Sequence, residues 1–187
     1  SAQMRGQRIA LSDFTAATFR VEAVGGKDRI IYDAKNGSTL PGTLVRKEDD
    51  PPSADVAVNE AFDGSGATYD LYKNIYNRNS IDNSGMRLDS TVHYKVGYDN
   101  AFWDGQQMVY GDGDENMPEN ERLFNRFTIA IDVMGHELTH GVTQFEAKLV
   151  YSFQPGALNE SMSDVFGSLV KQFQKGQTAD QADWIIG

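Results

Sequence analysis

The hydrophobic positions of the chain change their period partway along it. Before residue 50, apolar residues form short, largely alternating runs at residues 14–24, 29–33 and 40–45, a pattern typical of β-strands. The turn-forming pairs Gly25-Gly26 and Asn36-Gly37 separate these runs. The pattern therefore predicts a small sheet near the start of the chain.

From residue 54 the apolar positions recur every three or four residues, which is the period of a helix buried on one side. This pattern predicts a long helix to about residue 76 that runs through Gly64 and Gly66, each costing about 1 kcal/mol relative to alanine. Three strand-like runs follow, at residues 91–96, 100–103 and 107–110. His93 lies on the first of these runs and is predicted to be structural.

Helical periodicity returns in the last third of the chain. It first involves the apolar positions Phe127, Ile131, Met134, Leu138 and Val142. A second apolar stripe predicts another helix and comprises Leu158, Met162, Val165, Phe166, Leu169 and Val170. The succession of elements predicts an α+β fold, with a mainly antiparallel β-rich part at about residues 9–123 and long helices at about residues 124–187.

The strongest chemical signal lies on the first of these two helices, where residues 136–140 read H-E-L-T-H. His136 and His140 are four residues apart, so both imidazoles project from one face and can converge on a metal ion. Glu137 projects beside that position, where it can hold and deprotonate a metal-activated water. Taken alone, the five residues also fit two surface histidines on an amphipathic helix.

A catalytic zinc site usually takes a third protein ligand and keeps one position open for water. Glu160 and Asp164 share one face of the next predicted helix. A hairpin of the two helices would bring Glu160 to the metal and would let Asp164 accept a hydrogen bond from a ligand imidazole. The alternative is that both carboxylates only stabilise the first turn of their own helix.

Composition argues against several other classes of protein. The net charge of −10 disfavours nucleic-acid binding, because phosphates are bound by basic patches. No apolar run approaches the roughly 20 residues of a membrane span, so no membrane partner is expected, and no signal peptide is visible. Without cysteine there are no disulfides and no thiolate ligands, which leaves the compartment open.

Together with G-A-L-N-E-S-M-S-D at residues 156–164, the H-E-L-T-H motif resembles the thermolysin-type neutral zinc metallopeptidases. Residues 68–74, 97–103 and 108–114 match further blocks of that family in the right order, and details near both ends look closest to its bacterial, protealysin-like branch. The resemblance implies a zinc-dependent endopeptidase that acts on peptides or proteins and binds its own propeptide. It also implies secretion, with a cytoplasmic location as the alternative for that branch.

Further residue roles rest on the resemblance alone. Tyr151, by its place before the Glu160 motif, matches a tyrosine that helps to stabilise the oxyanion, with core packing as the alternative. Asn159 joins Asp164 in supporting the zinc ligands. The residues implied to bind substrate are Asn100, Ala101, Trp103, Phe124 and Val133.

In the family, a second, helical domain supplies half of the cleft and an oxyanion-stabilising histidine. The resemblance therefore implies that residues 1–187 are the N-terminal zinc-binding domain, with the C-terminal helical domain of the same enzyme as their partner and little or no activity on their own. It also implies a calcium site with Asp132, Asp180 and Asp183 as ligands. Lys171, however, stands where the family has an acidic calcium ligand, and its ammonium could replace the charge of the ion.

Two interpretations other than an enzyme are consistent with these residues. One is a module that holds zinc and docks a peptide, a propeptide or an inhibitor without cutting it, and the other is a structural domain with a vestigial motif. Glu137 argues against both, because metal binding alone does not require a general base. Aminopeptidases also use H-E-x-x-H, whereas the edge motif at residues 100–103 favours an endopeptidase.

Overall fold

The structure, a computed structural model, describes residues 26–187, so the predicted strand at residues 14–24 lies outside the described residues. The strands are β1 (Arg29–Asp33), β2 (Thr43–Lys47), β3 (Leu88–Val92), β4 (Ala101–Trp103) and β5 (Met108–Tyr110). The helices are α1 (Val56–Tyr76), α2 (Ile131–Phe145) and α3 (Phe153–Lys175), with short 3-10 turns at Glu119–Glu121 and Phe127–Ile129. The α+β organisation is confirmed, with the strands first and the paired helices after them. Within the described range, no helix is both long enough and apolar enough to cross a bilayer.

The five strands form one sheet in the order β2-β1-β3-β5-β4. The outer pairs, β1 with β2 and β4 with β5, are antiparallel, whereas β3 runs parallel to both β1 and β5. The sheet is therefore mixed rather than mainly antiparallel, because α1 carries the chain from β2 across to β3 and parallel neighbours need such a crossover. Among the strands that the structure describes, β4 lies at an edge of the sheet, next to α2.

Two strands are displaced from their predicted positions. Strand β2 begins only at Thr43, because Pro41 has no backbone N–H for a ladder and Gly42 has a left-handed φ of 92°. Strand β3 begins at Leu88 and ends at Val92, so His93 does not lie on a strand as predicted. The chain turns at His93 instead, where φ is 55°.

Helix α1 matches the prediction, and its two internal glycines allow close contacts. A Cβ at Gly64 would lie 2.1 Å from Met134 Sδ, and one at Gly66 would lie 2.3 Å from an Arg29 guanidinium nitrogen. The helix packs on the sheet around a core that includes Ile31, Val58, Phe62, Leu88, Met108, Tyr110, Met134 and Leu138. Because Met134 and Leu138 belong to this core, the sheet and α1 fix how α2 is rotated about its axis.

The predicted apolar stripe of α3 is buried only in part, since Val170 is fully buried but the residues nearer the start of the helix are not. Leu158, Met162 and Val165 are 52%, 39% and 46% exposed. The buried residues of α3 are mostly small or polar: Gly156, Asn159, Ser163, Gly167, Ser168, Val170 and Gln172. Small side chains allow two helix backbones to approach closely, and this requirement decides which face of α3 meets α2.

His93 joins three parts of the fold through its two ring nitrogens. Its Nδ1 lies 2.8 Å from Asp112 Oδ2, and its Nε2 lies 2.8 Å from Asp55 Oδ2. Asp55 caps the N-terminus of α1, and Asp112 lies in the loop after β5. The hydrogen bond to Asp112, opposed by burial and supported by Asp55, raises the pKa of His93 to about 9. A charged imidazole therefore holds these elements together at neutral pH.

The His93 bridge predicts a pH-dependent stability. Because the pKa of His93 is higher in the folded protein than its ordinary value of 6.5, its contribution is complete below about pH 6.5 and is lost as the pH rises through about 9. We expect His93→Asn, whose side chain suits a left-handed backbone, to be less stable than wild type by on the order of 2 kcal/mol at pH 6. Thermal melts between pH 6 and 10 should show the two curves converging at alkaline pH. Parallel curves over that range would contradict the bridge.

Candidate metal centre and active site

Helix α2 presents its two histidines towards α3. The Nε2 atoms of His136 and His140 are 3.0 Å apart, and the two rings stand at 86° to each other. The opposite side of α2 is held in the core by Met134 and Leu138, which are 2% and 1% exposed. The same apolar periodicity that makes α2 amphipathic therefore aims the imidazoles at α3.

Glu160 approaches both histidines from α3. Its Oε2 lies 3.2 Å from His136 Nε2, and its Oε1 lies 3.8 Å from His140 Nε2. Among residues 26–187, these three side chains form the only group of three or more that could hold a metal ion. The structure thus brings together the three residues selected from the sequence.

The other nitrogen of each imidazole already has a partner. His136 Nδ1 lies 2.8 Å from Asp164 Oδ1, and His140 Nδ1 lies 2.7 Å from Asn159 Oδ1 and 3.0 Å from Ser163 Oγ. A ring that donates its Nδ1 proton to an oxygen turns the lone pair of Nε2 towards the metal position. Sequence reasoning missed Ser163, although its spacing of four residues from Asn159 puts both on one face of α3.

The charges around the cluster favour a cation. Burial opposes protonation of His136, but the hydrogen bond that its ring donates to Glu160 and the charges of Glu137, Glu160 and Asp164 raise the pKa of His136. Two imidazole nitrogens and one carboxylate are a donor set found in catalytic zinc sites with an open fourth position. The residues therefore fit zinc, by their chemistry and by the orientation that their hydrogen bonds impose.

Two glycines set how closely the helices that carry the cluster approach each other. A Cβ at Gly167 would lie 2.5 Å from Asp132 O and 3.1 Å from His136 N, and one at Gly135 would lie 2.9 Å from the Val170 side chain. At Gly167 the obstacle is the backbone of α2 itself, one turn before the first histidine. Any larger residue there would push Glu160 and Asp164 away from the imidazoles.

Glu137 lies on the side of α2 that faces β4. It is 7% exposed, and its Oε2 accepts a hydrogen bond of 3.0 Å from the backbone N–H of Trp103. The Trp103 indole Nε1–H donates to Gln144 Oε1 at 3.0 Å, which ties the edge strand to α2 a second time. The carboxylate of Glu137 is thus held at the junction of the metal helix and the sheet edge.

The remaining residues assigned from the resemblance lie at different distances from this centre. Tyr151 is half-buried, with its ring centroid 5.7 Å from that of His140. Ala101 lies on β4 and is 1% exposed, and Asn100 precedes it and accepts a hydrogen bond from Gly111 through its carbonyl. Phe124 is 49% exposed and packs on Phe127, while Val133 is partly buried against the core.

The residues assigned to calcium surround an ammonium group. Lys171 Nζ lies 3.0 Å from Asp132 Oδ2 and 3.0 Å from Asp183 Oδ1. Asp180 is not part of this contact, since its Oδ1 accepts a hydrogen bond of 2.6 Å from Thr178 Oγ1. These residues do not fit a calcium ion, because calcium takes six to eight oxygen ligands and a positive charge already lies between two of them.

Comparison with known proteins identifies this combination of fold and metal-binding motif as that of a metallopeptidase. The family model of the thermolysin metallopeptidase catalytic domain matches residues 4–144, and the model of the thermolysin metallopeptidase alpha-helical domain matches residues 147–187. The chain belongs to the thermolysin family of metallopeptidases. The second match begins before α3 and includes Glu160.

Individual relatives agree with this assignment. The chain is 56% identical over 163 residues to an extracellular metalloprotease of Pectobacterium carotovorum subsp. carotovorum, and 49% identical over 158 residues to bacillolysin of Bacillus cereus. A solved structure, the precursor of protealysin, a metalloproteinase from Serratia proteamaculans, superposes with a TM-score of 0.83 at 51% identity over 99% of this chain.

The chain spans less than half the length of the curated relatives it matches. The alignments cover 87% of this chain but 45% of the Pectobacterium protease, and 83% of this chain but 26% of bacillolysin. The chain also covers 58% of the protealysin precursor.

Gly167→Ala tests whether the approach of α2 and α3 positions the centre. The added methyl group would press on rigid backbone, so we expect a loss of about 2 kcal/mol, a Tm lower by roughly 5 °C and weaker zinc binding. Melting curves and zinc competition against a chromophoric chelator measure both effects. Gln174→Ala, at an exposed position of the same helix, is the control and should leave both Tm and zinc affinity unchanged. Equal zinc affinity in Gly167→Ala and wild type would contradict the interpretation.

Proposed function

We propose that this chain carries the zinc centre of a metalloendopeptidase, with His136, His140 and Glu160 as the zinc ligands. The observation that carries the proposal is the convergence of two imidazole nitrogens and one carboxylate, each imidazole oriented through its Nδ1 by a residue of α3. Asp164 and Asn159 are the orienting residues. Zinc, when bound, supplies Lewis-acid chemistry that polarises the scissile carbonyl and acidifies the attacking water.

Glu137 is the general base of the proposed reaction. It takes a proton from the attacking water and passes it to the leaving amine, so no covalent intermediate with the protein is formed. Its burial and its hydrogen bond from Trp103 N–H support this role, because they hold one carboxylate oxygen in place beside the histidines. Tyr151, next to His140, supplies a hydroxyl that stabilises the developing oxyanion.

The edge strand β4 binds the substrate in extended form. An edge strand can pair with a peptide through its backbone, and Asn100 and Ala101 lie where that peptide would run past Glu137. Trp103 couples this strand to the general base. Phe124 and Val133 contribute apolar surface at the end of the cleft nearest the start of α2.

The activity of the whole protein needs more than these residues. The chain contains three histidines, at positions 93, 136 and 140, so the oxyanion-stabilising histidine expected from the family is not among its 187 residues. A missing oxyanion donor lowers kcat by roughly 100-fold or more, so these residues alone are expected to turn over little or no peptide. The exposed apolar residues of α3 provide a surface on which further helical chain of the same enzyme can pack.

Secretion and control by a propeptide are the biological setting that the relatives support. One relative is named an extracellular metalloprotease, and the matched protealysin structure is a precursor. The alternative function is a zinc-holding module that binds a peptide or an inhibitor without hydrolysis. The buried, hydrogen-bonded Glu137 favours the enzyme, because a metal site that only binds does not need that carboxylate.

The ligand set predicts one zinc per chain. We expect mass spectrometry to find close to one zinc ion per chain after the purified protein is loaded with zinc and the excess is removed by dialysis. Glu160→Ala should lower zinc affinity by 100-fold or more because it removes a direct ligand. Glu119→Ala, an exposed carboxylate on a 3-10 turn, is the control and should keep wild-type stoichiometry. Folded wild-type protein that binds no zinc would contradict the assignment of the three ligands.

The role of Glu137 predicts a separation of binding from catalysis. For this test the chain is extended after residue 187 with the remaining helical segment of the Pectobacterium protease, and a quenched fluorescent peptide reports cleavage. We expect Glu137→Gln to retain zinc and the Trp103 contact but to lose roughly 1,000-fold in kcat, because the amide cannot accept the proton. Glu119→Gln should be fully active. Retained turnover in Glu137→Gln would exclude Glu137 as the base, and an inactive wild-type chimera that binds the peptide would favour the binding module.

A further inference from the structure

Lys171 connects three separate parts of the chain through one ammonium group. It lies on α3, three turns after Glu160, and its Nζ donates to Asp132 Oδ2 at 3.0 Å, to Asp183 Oδ1 at 3.0 Å and to Ile185 O at 3.1 Å. Asp132 is in the first turn of α2, whereas Asp183 and Ile185 follow α3. An ammonium has three protons to donate, so these three oxygens match its full capacity.

The burial of these groups makes the positive charge necessary. The Asp132 side chain is 4% exposed and that of Lys171 is 13% exposed. A carboxylate so buried is costly unless a cation compensates it, and removing one member of such a pair destabilises a protein strongly. Burial opposes the ammonium charge, but the hydrogen bonds to Asp183 and Asp132 raise the pKa of Lys171.

We propose that the ammonium of Lys171 does in this chain what a bound divalent cation would otherwise do between Asp132, Asp183 and Ile185 O. Two carboxylates and a carbonyl around one positive charge are the hard oxygen donors that calcium prefers. Here the positive charge is covalently part of α3. The junction formed by Lys171, Asp132, Asp183 and Ile185 therefore needs no calcium, and a chelator cannot remove its positive charge. This inference does not depend on the peptidase activity proposed above.

The position of the junction links it to the metal centre. Asp132 lies one turn before His136, and Lys171 lies one turn after Gly167, whose Cα faces the α2 backbone at short distance. Gly167 therefore lies between Glu160 and Lys171 along α3. The lysine holds α2 and α3 together beyond Gly167, on the side away from the candidate metal ligands. It also attaches the segment after α3 to the same point.

The first experiment measures the melting temperature with and without calcium. The chain is freed of calcium on a chelating resin and reloaded with one equivalent of zinc, so that the histidine site is the same in every sample. We expect 5 mM CaCl2 to change the Tm of wild type by less than about 1 °C. A calcium-dependent rise in wild-type Tm that Asp183→Asn abolishes would overturn the proposal.

The variants of Lys171 test whether the charge has this role. Lys171→Met keeps the length of the side chain but not its charge and should lower Tm by about 5 °C or more, whereas Lys171→Arg should recover at least half of that loss. Lys175→Met, one turn later on the exposed part of α3, makes the same change in net charge and should have little effect. A Lys171→Met protein as stable as Lys175→Met would overturn the proposal.

Lys171→Glu gives the sharpest result, because it replaces the ammonium with a fourth oxygen donor. This variant should melt well below wild type without calcium and gain several degrees with 5 mM CaCl2, with saturation in a calcium titration. Folded Lys171→Glu that gains nothing from calcium would show that these oxygens do not form a cation site and would overturn the proposal. If Lys171→Glu does not fold, wild type and Lys171→Met still decide the question.

Discussion

The closeness of α2 and α3 is the constraint on which the centre depends. The two histidines come from one helix and the carboxylate ligand from the other, so no local segment of chain can form the cluster. The helices reach the necessary separation because Gly167 places no side chain against the backbone of α2. Small and polar residues on the facing side of α3 then do two things at once, since they allow the approach and include Asn159 and Ser163, which hold His140.

A second constraint is that the buried carboxylates of this acidic chain need positively charged partners. With a net charge of −10, the fold contains many carboxylates that need partners when they are buried. The structure compensates them with specific cations: Lys171 for Asp132, a charged His93 for Asp55 and Asp112, and Arg126 for Glu60. At the histidine cluster, by contrast, two imidazole nitrogens and the Glu160 carboxylate converge on one another, which is an arrangement that can hold a metal ion. At Lys171 the cation is part of the protein chain, whereas at the histidine cluster a cation can bind from solution.

The edge of the sheet completes the arrangement. Because β4 is the outermost of the strands in residues 26–187, the backbone N–H of Trp103 is available to Glu137 rather than to another of these strands. The general base proposed for the reaction and the strand proposed to bind substrate are thus joined by one hydrogen bond. This hydrogen bond brings the strand and the motif helix, over thirty residues apart in sequence, to one place.

The sequence by itself determined the α+β class, the extent of α1, the face of α2 and the members of the metal cluster, because each follows from residue spacing within one element or from family motifs. It misplaced β2 and β3 by about three residues and put His93 on a strand, since strand ends depend on where neighbouring strands stop pairing. The apolar spacing correctly predicted a helix at α3 but not which residues it buries: Leu158 and Met162 are exposed, whereas the close contact with α2 buries Gly167 and Ser163. The parallel pairing in the sheet, the contact between Trp103 and Glu137, and the hydrogen bond from Lys171 to Ile185 O were decided only by the tertiary structure, because no local pattern of the sequence records these contacts.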